Sequence, residues 1–90
     1  MKEEPLEKKF LQSYLYTDYG NFFISTAYRR ASTPEPSWYY DTFAWNLNDN
    51  NERTDCVADN SGAGNVQGAL KQHFEVLEEL EKTGEFKSRS

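Results

Sequence analysis

The one cysteine and the one histidine of this 90-residue chain are the first residues to test for nucleophilic chemistry. A cysteine beside a histidine, with an aspartate to orient the imidazole, would form a nucleophile with its base. Cys56 lies in the run RTDCVAD, however, where neighbouring carboxylates work against an activated thiolate. His73 falls on the apolar side of a predicted helix, which is typical of a packed or hydrogen-bonded histidine. The sequence therefore predicts no catalytic residue.

Metal sites are disfavoured by the same inventory of side chains. One cysteine and one histidine fall short of a tetrahedral zinc set. The run NLNDNNERTD is rich in carboxylates and amides, but it lacks the ligand spacing of a calcium-binding loop. We expect neither a metal nor a cofactor.

A glycine-rich stretch before the predicted helix is a candidate anion site. Gly62, Gly64 and Asn65 lie between a predicted strand and that helix, where backbone N–H groups and the helix dipole favour negative charge. The glycine spacing does not match a dinucleotide-binding loop, and no Gly-Lys-Ser/Thr follows. A flexible entry into the helix is the competing interpretation.

Arginines close to aromatic residues form the candidate recognition surface. Arg29 and Arg30 are an adjacent basic pair, and arginine beside aromatic rings is enriched in binding hot spots. The candidate binding residues are Phe23, Arg29, Arg30, Trp38 and Tyr40.

Asp41 is the carboxylate with the most unusual setting. It shares a strand parity with Phe43 and Trp45. A carboxylate that faces a core must be paired or have a raised pKa. We predict either a strand-end position or a salt bridge to Arg29 or Arg30.

The residue types along the chain also predict the strands and turns that must position these residues. Aromatic and β-branched residues predict strands, while Gly, Pro, Asn and Asp mark the turns. Predicted strands cover residues 22–29, 38–47 and 53–58, with residues 10–17 as a possible fourth; turns or loops fall at 18–21, 31–37, 48–51 and 60–65.

An amphipathic helix is predicted from residue 66 to residue 83. Asn65 is placed to cap its N-terminus, and Gly84 is placed to end it. Apolar residues at helical spacing predict its buried face, which consists of Val66, Ala69, Leu70, His73, Phe74, Leu77 and Leu80.

These elements predict an α+β fold, an antiparallel three- to four-stranded β-meander with one C-terminal helix packed on one face. The length allows a single domain over residues 1–90, with a flexible N-terminal arm at 1–9 and a flexible tail at 85–90. Both parities of the central strands carry aromatic residues, so the face without the helix also needs a cover. The chain itself, a second copy in a homodimer, or a partner or ligand would supply it.

Charge and composition narrow the classes of partner. A net charge of −5 disfavours a nucleic-acid binder. No apolar run is long enough for a membrane span, and the N-terminus does not have a signal peptide's pattern. The single cysteine fits a reducing compartment, so we expect a cytoplasmic location.

The sequence therefore predicts a small acidic interaction or regulatory protein without enzymatic activity. It would bind a protein partner through an aromatic sheet face. The profile is typical of accessory proteins of bacteria and their phages. The alternative is a small-molecule or anion-binding module that uses the aromatic face or the glycine-rich loop.

Overall fold

A four-stranded sheet and one helix make up the computed structural model of the chain, which describes residues 7–31 and 37–87. The strands pair antiparallel in the order β1-β2-β3-β4, so each hydrogen-bonds to its neighbour along the chain. The predicted α+β meander with a C-terminal helix is confirmed. The elements are β1 (Glu7–Thr17), β2 (Gly20–Ala31), β3 (Ser37–Leu47), β4 (Arg53–Ala63) and α1 (Val66–Thr83).

Strand β4 is longer than residue types predict. The expected loop over 60–65 is wrong for residues 60–63, which continue the strand to Ala63. Three register shifts between β3 and β4, together with Gly62 at φ +113°, accommodate small and polar residues at this sheet edge.

The predicted arm, proline-containing loop and tail are described only in part. Residues 7–9 of the expected arm lie in β1, whereas residues 1–6 lie outside the described residues. Residues 32–36 of the loop also lie outside, between the ends of β2 and β3. In the tail, Phe86 packs against the core cluster, and residues 88–90 are outside the described part.

The predicted turns at 18–21 and 48–51 are both present and are held by side chains, although Gly20 and Asn21 of the first already belong to β2. In the β1–β2 turn the Thr17 hydroxyl accepts from the Tyr19 N–H at 3.0 Å and donates to the Gly20 carbonyl at 2.9 Å. In the β3–β4 turn Asn48 Oδ1 accepts the N–H groups of Asn50 and Glu52, each at 2.9 Å. Such self-contained hydrogen bonds explain the preference for Asn, Asp and Thr at turns.

Both predicted helix caps are also present. Asn65 Oδ1 accepts the Gly68 N–H at 2.8 Å, and Gly84 adopts the left-handed conformation at φ +74°. The Gly84 N–H then donates to the Leu80 carbonyl at 2.9 Å, which closes the last turn of α1.

The core lies between α1 and the sheet. It is small, and its apolar side chains come from three strands and the helix. The buried cluster consists of Phe22, Ile24, Ala44, Ala58, Val76 and Leu80, with Leu15, Val57 and Phe86 packed against it.

The buried face of α1 differs from the predicted one. Val66, Leu70 and Phe74 are exposed, so their assignment to the buried face is wrong. Gln72 and Val76 are buried in their place, beside Ala69, His73 and Leu80, which were predicted correctly. The helix is therefore rotated relative to the predicted orientation, and Gln72 can be buried because the Ala63 N–H of β4 and the Tyr40 carbonyl of β3 supply its hydrogen-bond partners.

Candidate functional site

The face of the sheet opposite α1 carries an open concavity of about 560 Å³, here called the helix-free cleft. Strands β1, β2, β3 and β4 and the β3–β4 turn all contribute side chains to it. Its lining residues are Lys9, Gln12, Tyr14, Phe23, Ser25, Arg29, Trp45, Leu47, Asn51, Glu52 and Arg53.

Arg53 lies over aromatic rings in this cleft. Its guanidinium carbon is 5.0 Å from the centroid of the Trp45 ring and 5.6 Å from that of Phe23. The two rings themselves stack with centroids 6.0 Å apart. The guanidinium therefore makes cation–π contacts with both, which restrict its position and help to shield Phe23 from solvent.

Arg29 covers the opposite end of the same face. Its Nε lies 3.3 Å from Oδ2 of the buried Asp41, so the predicted salt bridge is confirmed. Its guanidinium carbon also lies 5.2 Å from the centroid of the Phe43 ring. Because Asp41 is only 5% exposed, it requires this charge, and Arg29 is committed to a structural partner.

The cleft is positive in an otherwise acidic chain. Lys9, Arg29 and Arg53 line it together with the carboxylate of Glu52. Because Arg29 is paired with Asp41, the lining keeps a net charge of +1. The whole chain carries −5. Among the described residues, Arg53 forms no ion pair.

The predicted recognition residues do not lie on one surface. Phe23 and Arg29 line the helix-free cleft. Arg30, Trp38 and Tyr40 have the opposite strand parity, and the cross-strand pair of Arg30 with Trp38 lies on the helix side of the sheet. Successive residues of a strand point to opposite faces, which is why adjacent arginines are separated.

Two of the helix-side residues, Trp38 and Tyr40, belong to an aromatic cluster. The Tyr28 ring stacks on Trp38 at 4.6 Å and contacts Tyr40 at 4.7 Å, and Phe10 packs edge-on against Tyr40 at 5.2 Å. Lys8 lies 6.0 Å from the Trp38 centroid. These contacts pack the four rings against one another on the helix side of the sheet, with Phe10 still 37% exposed.

Lys9, Tyr14 and Arg53 are cleft residues that were absent from the predicted set. Arg53 could have been assigned to this face from the sequence. The predicted turn after Leu47 sets the strands in a register that places Arg53 opposite Leu47, close to Trp45.

The glycine-rich stretch is divided between two elements. Gly62 lies in β4, and Asn65 caps α1 with its side-chain oxygen at the N-terminus of the helix. That oxygen already accepts a backbone N–H group, so it takes up part of the donor capacity that an anion would use.

A chain of buried hydrogen bonds runs beneath α1. His73 is fully buried; its Nε2 lies 2.8 Å from Ser13 Oγ, and its Nδ1 lies 2.8 Å from Thr26 Oγ1. Thr26 Oγ1 lies 2.6 Å from Thr42 Oγ1, which accepts from Gln72 Nε2 at 3.2 Å.

The direction of the chain sets the tautomer of His73. If Thr42 donates to Thr26 and Thr26 donates to Nδ1, then Nε2–H donates to Ser13 and every proton between Gln72 and Ser13 has an acceptor. The reverse direction leaves the Thr42 hydroxyl hydrogen without an acceptor among the described residues. An unsatisfied buried donor is costly, so the neutral Nε2–H form is favoured. Desolvation by burial lowers the pKa of His73, which acts in the same direction.

Ser13, His73 and Thr26 follow the order of a nucleophile, a base and an orienting group. Thr26 has no negative charge to stabilise an imidazolium, and His73 is fully buried beneath the helix. The arrangement of Ser13, His73 and Thr26 is therefore suited to fastening α1 to the sheet.

Cys56 lies on the exposed surface of β4, where its Sγ contacts the Ala58 carbonyl at 3.5 Å.

Within residues 7–31 and 37–87, no group of three His, Cys, Asp or Glu side chains is placed to hold a metal ion. No described helix has the length and apolar character to cross a membrane. The chain matches no protein-family model, no curated protein and no solved structure.

Proposed function

We propose that this chain is a non-enzymatic binding protein that recognises its partner through the helix-free cleft. The observation that carries the proposal is the position of Arg53. Its charge is held over Trp45 and Phe23 in a concave surface and makes no ion pair with a described carboxylate. Arginine with aromatic residues is the side-chain combination in which binding energy concentrates.

The contrast between the two arginines of this face supports a binding role for Arg53 over a role limited to covering the aromatic rings. Arg29 compensates the buried Asp41, so its position has a structural reason. Arg53 has no equivalent carboxylate among the described residues, and an uncharged side chain would cover the rings as well. A stacked guanidinium keeps its N–H edges available while losing less conformational freedom when it binds.

We also propose a reducing, cytoplasmic setting, as befits a bacterial or phage accessory protein. The exposed, unpaired Cys56 supports this setting, because free surface thiols persist where the compartment is reducing. The partner bound through the cleft would be another protein or a second copy of this chain in a homodimer.

A capture experiment with paired variants tests the proposed function. The immobilised full chain, its Arg53→Gln variant and its Arg30→Gln variant are each exposed to an extract of the native host. Proteins and small molecules retained by each are then identified by mass spectrometry. Arg30 is the matched control because it is an exposed arginine with the strand parity of the helix side.

We expect the wild type and Arg30→Gln to retain the same partner and Arg53→Gln to lose it. Retention by all three proteins, or loss from Arg30→Gln alone, would refute binding through the cleft. Thermal melting of each variant shows whether the fold is intact.

A further inference from the structure

We infer that the outer edge of β1 pairs with the same strand of a second copy of this chain, so that two four-stranded sheets join into one of eight strands. The edge offers backbone groups at the side of the sheet, whereas the helix-free cleft lies on its face. This inference therefore goes beyond the proposed function and does not depend on it. Three features of β1 carry it: an open backbone edge, a self-complementary order of side chains, and opposite charges at the two ends of the strand.

The backbone edge of β1 is open. Among the described residues β1 pairs only with β2, so the N–H and C=O groups of its alternate residues point away from the sheet. Natural sheets protect such edges with charged side chains, proline or bulges. Residues 10–17 contain no charge and no proline, and the one register shift of β1 falls before them, between Lys9 and Leu11. A regular stretch of edge is therefore left to pair with another strand.

The opposite edge of the sheet has the protection that β1 lacks. Strand β4 carries the charges of Arg53, Asp55 and Asp59, and Gly62 interrupts it at φ +113°. Three register shifts distort its pairing with β3. Because a bulged, charged edge is a poor template for another strand, β1 is the edge at which a second sheet would join.

The order of side chains along β1 is self-complementary. Leu11 and Leu15 are half-buried on the helix side of the strand, whereas Gln12 and Tyr14 are exposed on the side of the cleft. A two-fold axis through Ser13 places Leu11 of each copy opposite Leu15 of the other. It also places Gln12 opposite Tyr14. Apolar side chains thus meet apolar ones, and both helices lie on the same face of the joined sheet.

The charges at the two ends of β1 have opposite sign. Lys8 and Lys9 are exposed at its beginning. Asp18 follows its end, and the exposed Glu81 of α1 lines a concavity together with residues 15–19. Among the described residues, none of these four charged groups forms an ion pair. An antiparallel second copy would bring the basic end of each β1 to the acidic end of the other, and the two-fold axis would repeat the contact.

Reversal of the end charges tests the inference on the full chain. The basic-end variant carries Lys8→Glu and Lys9→Glu, and the acidic-end variant carries Asp18→Lys and Glu81→Lys. Sedimentation velocity measures the mass of the wild type and of each variant over a range of concentrations, and then the mass of the two variants mixed in equal amounts.

We expect the wild type to form a dimer as its concentration rises. Each end variant alone should dimerise at least about tenfold more weakly, because both ends of its β1 then carry the same charge. The mixture should regain the dimer, because every basic end again meets an acidic one. The control, Lys71→Glu with Lys82→Glu, makes the same change in net charge as the basic-end variant on the exposed surface of α1, and it should weaken the dimer less.

Hydrogen exchange of the wild-type amides reads the backbone directly and needs no variant. In the concentrated protein, exchange should slow at alternate N–H groups of residues 10–16, which would then donate to the second copy. The N–H groups of β4 should exchange at the same rate in dilute and concentrated protein. This measurement decides the outcome if an end variant does not fold.

A wild type that stays monomeric up to about 1 mM, or a dimer of equal strength in the wild type and both end variants, would overturn the inference. Slowed exchange at β4 in place of β1 would overturn it as well. A dimer that is lost in Arg53→Gln but kept in the end variants would place the second copy in the helix-free cleft, which refutes edge pairing and leaves the proposed function standing. A dimer that depends on the strand ends, together with capture from extract that is independent of Arg53, would refute the proposed function alone.

Discussion

The imidazole of His73 hydrogen-bonds through Nδ1 to the hydroxyl of Thr26, at 2.8 Å in the middle of the sheet. The only histidine of the chain is thereby fixed in a fully buried position between the helix and strands β1 and β2. Its neutral form satisfies the hydrogen-bond chain, and its charged form does not. Protonation of this one side chain should therefore oppose folding.

Acid should destabilise the protein through His73. Burial lowers the pKa of His73 in the folded state below the ordinary value of 6.5, so near that pH the unfolded chain binds the proton more readily. The contribution of neutral His73 to the free energy of unfolding is complete above pH 6.5 and is lost as the pH falls through the lowered folded-state pKa. The slope in this window should approach about 1.4 kcal/mol per pH unit. Urea unfolding between pH 8 and pH 5 measures it.

The control for this prediction is His73→Gln, which keeps a donor and an acceptor but does not titrate in this range. Its free energy of unfolding should be nearly constant between about pH 6.5 and pH 5.5. Equal slopes in the wild type and the variant would show that carboxylates, rather than His73, cause the acid sensitivity.

The buried hydroxyls should behave as one unit. Thr26→Val leaves His73 Nδ1 without its donor and Thr42 without its acceptor, and should cost about 1–3 kcal/mol. Thr42→Val should cost less, because Gln72 Nε2 still donates to the Tyr40 carbonyl. The double variant should lose less than the sum of the two, by about 0.5 kcal/mol or more, in a double-mutant cycle from denaturant unfolding. Additive losses would argue against a connected chain.

The rotation of α1 gives a matched pair of leucines. Leu80→Ala removes a fully buried side chain and should cost about 2–5 kcal/mol. Leu70→Ala is the same substitution in the same helix at a position 38% exposed, and it should cost less than about 1 kcal/mol. Calorimetric melting of both variants decides the matter, and similar losses would restore the sequence-predicted face.

The end of α1 should tolerate no side chain at Gly84. Gly84 has φ +74°, and a Cβ there would lie 2.5 Å from the Cβ of Tyr19. Gly84→Ala should cost about 1–2 kcal/mol for the backbone conformation, with the contact added to it. Gly64→Ala is the control, because a Cβ there meets no atom within 4 Å, and its effect should stay within about 0.5 kcal/mol. Chemical denaturation of both variants tests the difference, and equal stability of the two would contradict the tight contact.

Local chemistry explains which parts of the fold could be predicted from the sequence. The aromatic and β-branched run of β2, the Asn48 turn and the caps at Asn65 and Gly84 depend on contacts a few residues apart. The buried face of α1 does not. Gln72 is buried because the Tyr40 carbonyl and the Ala63 N–H, which belong to other strands, are its partners. An amphipathic pattern cannot contain that information.

The candidate site was predictable only at the level of composition. Arginine does lie near aromatic residues in the cleft, and two of the predicted binding residues, Phe23 and Arg29, line it. Strand parity separates Arg30 from Arg29, and the register across the β3–β4 turn brings Arg53 to Trp45. These relations depend on pairing between strands and on the bulges of β4, so they emerge only from the assembled sheet.

Because each strand pairs with its neighbour along the chain, the topology also predicts the order in which the parts of the fold form. Each hairpin closes a short loop, whereas the hydrogen bond between Ser13 and His73 spans 60 residues. Closing long loops costs more entropy and is compensated late, so the hairpins should be structured in the transition state before α1 docks. Docking of the helix then removes the Ser13, Thr26 and Thr42 hydroxyls from water in one step. A destabilising change in α1 such as Leu80→Ala should therefore accelerate unfolding while leaving the refolding rate nearly unaltered.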